Sequence, residues 1–195
     1  VIWQAFPGGA GARLAPAIYQ VLPETGVANP VTAVLLNLRA YDTLLELAVL
    51  LAAALGLAAF GRARPAEGLP EPVLAGLLPW LVGALILGAG YLLWIGAKAP
   101  GGAFQAGALL ATAGVVLHLS ARPSAGLPAP VWRPWLMIAG IAVFLGVGLA
   151  MLASGGALLE YRGEQAGALI LLIETGATLI IGGLLVGAYL AGRPD

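Results

Sequence analysis

From residue 73 to residue 95 the chain runs without a charged side chain; as one helix this run would measure about 34 Å, enough to cross the ~30 Å hydrocarbon core of a bilayer. Three similar runs follow at 102–120, 134–153 and 166–191, interrupted only by His118 and Glu174. With no water at that depth, every backbone N–H and C=O must be satisfied within the protein, which restricts such runs to packed helices. The composition agrees, with 61% hydrophobic and 9% charged residues and a mean hydropathy of +0.97. The expected fold class is all-α: a multi-pass transmembrane bundle of about five spanning helices, placed in the cell membrane.

The same composition excludes several functions. Net charge is zero and no basic arm or patch suggests nucleic acid. The absence of cysteine removes disulfides, thiolate metal sites and thiol nucleophiles. A single His, with no Ser/His/Asp constellation, leaves no basis for a metal centre, a cofactor or an enzymatic nucleophile. Any catalysis is expected in partner subunits.

Residues 1–29 are punctuated by Pro7, Gly8, Gly9, Gly11, Pro16 and Pro23. They read as a segment lying on the membrane surface, with a short amphipathic helix around 16–22, and not as a signal peptide. Residues 30–61 form a long charged span: as one helix, 30–60 would extend about 46 Å. Either it begins outside the bilayer, or it breaks near residues 37–42 and only 43–60 crosses. The polar stretch 62–72 reads as a cytoplasmic linker, and 73–195 as a four-helix membrane domain. Pro72 and Pro134 sit at helix starts, where a missing N–H costs little. Five crossings with an outer amino terminus put Arg62, Arg64, Arg122, Arg133 and Arg193 inside, against Arg13, Lys98 and Arg162 outside; this favours a cytoplasmic carboxyl terminus.

The long span concentrates charge. At 100° per residue Arg39, Asp42 and Glu46 share one face, with Thr32 and Thr43 flanking it. A charge at mid-bilayer costs about 2.5–3.5 kcal/mol, so this stripe is expected to face protein or water. Arg39 paired with Asp42 fixes helix rotation in one reading; in the other a surplus carboxylate, with Glu46 favoured, takes a proton or small cation. Glu174 is more isolated, with no basic residue in its own span. It is expected either protonated, bonded to a group such as the Thr178 hydroxyl, or paired with a base from a partner subunit. His118 is either a proton relay or an interfacial anchor. Lys98 is expected to snorkel to headgroups or to meet a neighbour's acid.

Two local patterns remain. The spacings Gly183/Gly187 and Ala142/Gly146/Ala150 suit close helix approach, within the chain or against other subunits. The text Ala99-Pro-Gly-Gly-Ala-Phe-Gln-Ala-Gly107 is a glycine-rich turn running into a helix. It lacks the Lys-Ser/Thr and the preceding strand of a phosphate loop, so it is read as a tight outer turn, with Gln105 supplying an amide near the helix start.

That turn, with Pro100, Gly101, Gly102, Phe104, Gln105 and Gly107, resembles the signature turn of the B-type subunit (MnhB/MrpB) of multisubunit Mrp-type Na⁺/H⁺ antiporters and of related membrane-bound hydrogenase subunits. Glu174 followed by Gly176 matches an acid and glycine of that family's last span. Separately, Thr32 to Leu47 resembles the end of the large antiporter subunit, or the small hydrogenase subunit corresponding to it, at Arg39, Asp42, Thr43 and Glu46, so the chain looks like a fusion of two neighbouring pieces. Ala97 stands where the family often has His, Ala103 and Ala106 where it has glycine, and Asn37 where an acid is common. The resemblance implies a small subunit of a cation/proton-translocating complex, with Na⁺ and/or H⁺, lipid and other membrane subunits as partners, and with Arg39, Asp42, Glu46, Glu174 and His118 as ion-path candidates. The alternatives are a non-conducting adaptor that docks larger subunits, or the membrane anchor of a hydrogenase-like or carbon-handling complex.

Overall fold

The computed structural model describes residues 10–59, 72–120, 133–156, 158–161 and 165–191. Among these residues the chain forms seven helices: α1 (Ala10–Val21), α2 (Pro30–Ala33), α3 (Ala40–Ala59), α4 (Pro72–Ile95), α5 (Ala103–Leu119), α6 (Arg133–Ala153) and α7 (Ala166–Ala191). The five long ones, α3 to α7, are the expected spans. The linker at 62–71 and the connection at 121–132 lie outside the described residues.

Helix α7 is the centre of the bundle and packs on α3, α4, α5 and α6. Its span is 61% buried inside the chain, against 11% for that of α4, so α4 is a peripheral helix and α7 the axis. The buried face of α7 carries Ile170, Ile173, Ala177, Ile180, Ile181 and Leu184, while Leu172, Leu179 and Leu185 point outward. Lipid tails are as apolar as leucine, so this face gains from close packing more than from escape from solvent. Glycine permits that packing. A Cβ on Gly107 of α5 would stand 2.7 Å from Ile181 Cβ, and one on Gly140 of α6 would stand 2.6 Å from the Gly176 carbonyl. The small-residue spacings expected to do this face elsewhere: Gly146 and Gly183 have open space at the Cβ position, and Ala142 and Ala150 are exposed.

Of the two possibilities for the long span from residue 30, the structure has the break, at Arg39. Asn29 accepts a bond from Val31 N–H (3.1 Å) and Pro30 opens α2, which lasts four residues. A wide turn, Val34–Leu38, then closes with the Arg39 N–H donating to the Val34 carbonyl, five residues back. Arg39 leaves helical geometry (φ −131°, ψ 37°), and α3 starts afresh at Ala40. The break frees backbone groups, which low-dielectric surroundings penalise unless they are satisfied. The Thr43 hydroxyl donates to the Leu35 carbonyl (2.6 Å) and bridges it.

Helix α1 is the amphipathic helix expected near 16–22, beginning earlier. Of the residues after it, Thr25, Val27 and Asn29 are buried and alternate with exposed Glu24, Gly26 and Ala28, and the end of the segment lies against the turn between α4 and α5. Ala28 N–H and Asn29 N–H both donate to the Ala97 carbonyl (2.8 and 3.0 Å). Asn37 donates to the Thr25 carbonyl (3.0 Å), a role that an ionised acid at this position could not fill.

Candidate functional site

Glu174 lies in the first half of α7 and is 3% exposed. Its carboxylate lies at the start of α5, where the Ala103 backbone N–H donates to it. The first N–H groups of a helix have no partner within the helix and carry the positive end of its dipole, so a carboxylate is a suitable cap. The approach requires Gly102, which sits at φ +109°, and at which a Cβ would lie 2.8 Å from Glu174 Oε1. The glycine-rich turn therefore does cradle an acidic group, one belonging to the chain itself. The Thr178 hydroxyl expected to bond this side chain donates instead to the Glu174 backbone carbonyl (2.7 Å). The other carboxylate oxygen, Oε2, is buried and has no hydrogen-bond partner among the described residues.

Beside Glu174 is a cavity of about 350 Å³ between the α2–α3 segment, the start of α5 and α7. Glu46 of α3 lines it together with Glu174, Thr32, Thr43 and Gln105, and the rest of the lining is mostly apolar, with Val31, Leu35, Leu36 and Phe104. Among the described residues, none that lines it is basic. Val31 and Glu46 are exposed, so the cavity opens at the surface of the chain, whereas Glu174 lies at its buried side.

The structure thus divides the candidate residues. Glu46 and Glu174 converge from two helices far apart in sequence. Arg39 and Asp42 form an ion pair (2.5 Å) whose side chains are 69% and 43% exposed, and neither lines the cavity. Arg39 and Asp42 stay side by side through this pair, and of the expected stripe only Glu46, one turn further along α3, lines the cavity. His118 is buried near the far end of α5, about 22 Å along the helix from Ala103, beside a buried Ser120 and away from both acids. Of the turn residues, Gly101, Gly102, Phe104 and Gln105 line the cavity, while Gly107 serves the contact with α7. Pro100 and Lys98 are exposed.

Asn29 was not singled out by the sequence reading. Its amide donates to the Gly96 and Ala99 carbonyls (2.9 Å each), and the Thr32 hydroxyl also donates to Gly96 (2.7 Å). The available signal was an Asn immediately before a Pro that opens a helix, which marks a cap but says nothing of a distant turn.

A bundle of five long apolar helices with one buried acid, Glu174, on the inner face of its central helix is the build of a multi-pass subunit of a membrane complex. Residues 73–188 match the model of a family described as a domain related to the MnhB subunit of Na⁺/H⁺ antiporters, and the chain belongs to that family. Among solved structures it is similar to a chain of the Mrp complex from Dietzia sp. DQ12-45-1b, with 26% identity and a TM-score of 0.70. That likeness covers 94% of this chain but only 23% of the Dietzia chain. It is also similar to a chain of the membrane-bound sulfane sulfur reductase (MBS), an archaeal respiratory membrane complex: 27% identity, TM-score 0.70, 95% of this chain and 88% of that one. No curated protein matches the sequence. Both structural likenesses extend beyond residues 73–188 into the amino-terminal part, where the resemblance to a large antiporter subunit lies.

Proposed function

We propose that this chain is a small integral membrane subunit of an Mrp-like cation/proton-translocating complex, in which Glu46 and Glu174 contribute carboxylates to an ion path. The observation that carries this reading is the convergence of these two acids on one cavity with no basic residue in its lining among the described residues. Two carboxylates in a membrane bundle attract whatever positive charge can reach them, and a small cation or a proton is what a mostly apolar cavity of this size with two acids in its lining can admit. The similarity to the Mrp complex supports cation/proton exchange as the setting; the similarity to the sulfane sulfur reductase supports the same module serving a respiratory complex. The carboxyl terminus is assigned to the cytoplasm.

The test is cation/proton transport by the assembled complex in vesicles, comparing wild type with Glu46→Gln and Glu174→Gln. Both substitutions keep shape and remove charge, and transport per assembled complex is expected to fall in each. Full assembly with unchanged transport in both would sink the reading. Loss of assembly in both would instead favour the adaptor role.

A further inference from the structure

The buried stretch that precedes α3 belongs to no part of the family-matched region, yet it touches the turn on which Glu174 rests. Asn29 donates through its amide to the carbonyls of Gly96 and Ala99. Thr32 adds a second bond to Gly96, and the backbone of Ala28 and Asn29 holds Ala97. Gly96 in turn is packed against Gly102: a Cβ on Gly96 would lie 2.7 Å from both Gly102 N and Gly102 Cα. Gly102 N–H is itself tied to the Leu92 carbonyl (2.9 Å), and Gly102 borders Glu174 Oε1. An unbroken series of contacts therefore runs from Asn29 through Gly96 and Gly102 to the Glu174 carboxylate.

We infer that Asn29 is a positioning residue for Glu174: it sets the place of the 96–102 turn, and so holds the carboxyl docked on the start of α5 at the edge of the cavity. The inference rests on the ion-path reading of Glu174 for its effect on transport, though not for its geometry. Asn29 has two separable jobs. As the cap of α2 its side-chain oxygen accepts from Val31 N–H, which Asp or Ser can also do. As a strap its NH₂ group donates to two carbonyls, which neither Asp nor Ser can do in the same way; an aspartate would set a negative charge against them.

The deciding variant is Asn29→Asp in the assembled complex, with Asn29→Ala and Glu174→Gln beside it. A capping role alone predicts that Asn29→Asp behaves as wild type. The positioning role predicts that Asn29→Asp lowers transport per assembled complex about tenfold, as Asn29→Ala does, and that Asn29→Asp with Glu174→Gln is no worse than Glu174→Gln alone. A second readout needs no transport: carbodiimide modification of Glu174, with Glu174→Gln as the blank, is expected to quicken several-fold in Asn29→Asp as the carboxyl leaves Ala103 N–H. If Glu174→Gln transports normally, the ion-path reading fails while the modification rate still tests the positioning. An unchanged modification rate, or independent losses in the double variant, overturns the inference. If Asn29→Asp does not assemble, Thr32→Val, which removes one bond to Gly96 at nearly constant volume, is put through the same two measurements with the same criteria.

Discussion

Glu174 Oε1 stands where it does because Gly102 has no side chain: a Cβ at residue 102 would lie 2.8 Å from that oxygen, on a backbone at φ +109°. Gly102→Ala therefore meets two penalties, left-handed strain and displacement of the carboxylate from α5. A loss of about 1–3 kcal/mol in stability is expected. It should appear as a lowered Tm of the purified complex and reduced transport, and an unchanged Tm would mean that the turn relaxes freely.

Gly140 and Gly146 are two glycines of α6 in opposite settings. A Cβ on Gly140 would press on the Ile180 side chain and the Gly176 carbonyl, whereas one on Gly146 meets nothing within 4 Å. Gly140→Ala should destabilise by about 1–3 kcal/mol and Gly146→Ala by about 0.5 kcal/mol or less within this chain. If Gly146→Ala proves the more harmful in the assembled complex, its open face is where another subunit packs.

The Arg39–Asp42 pair is local to the start of α3, three residues apart. Exchanging the two, Arg39→Asp with Asp42→Arg, keeps the pair and should preserve the yield of assembled complex on native gels. Asp42→Asn alone leaves an uncompensated guanidinium and should reduce that yield. Equal yields for both would show that the pair is dispensable, in line with the small worth of exposed ion pairs.

Tyr161, in the connection between α6 and α7, is buried, and its hydroxyl has no hydrogen-bond partner among the described residues. Burial pushes the phenol well above its ordinary value of 10.0. The folded state then keeps a proton that the unfolded state releases once pH passes that ordinary value, so this group makes stability fall as pH rises beyond about 10. Tyr161→Phe should leave stability at neutral pH unchanged or higher and flatten the alkaline fall, read from Tm against pH.

Topology is checked from outside the cell. A cysteine at Ala99, in the turn after α4, should be labelled by an impermeant thiol reagent in intact cells. One at Ser124, in the α5–α6 connection beyond the described residues, should be shielded. The reverse pattern would overturn a cytoplasmic carboxyl terminus.

The class of the protein and the bounds of its spans were legible in the sequence. Spans expected at 73–95, 102–120, 134–153 and 166–191 became α4 to α7 within a residue at each end. Hydropathy, proline at helix starts and glycine at turns act locally, and bilayer thickness sets the length they must fill. What only the tertiary structure decided was rotation and partnership. Nothing in residues 166–191 says that Glu174 rests on the start of α5, because its partner is a backbone N–H that every residue but proline carries. Nor did one helical wheel show that Glu46 alone of its stripe lines the cavity, since the wide turn at 34–38, which Thr43 bridges across eight residues, is invisible to it. The glycines that pack and those that face outward are the same residue in equally apolar helices. With no contrast between lipid and core to orient them, the fit of one helix surface against another makes the choice.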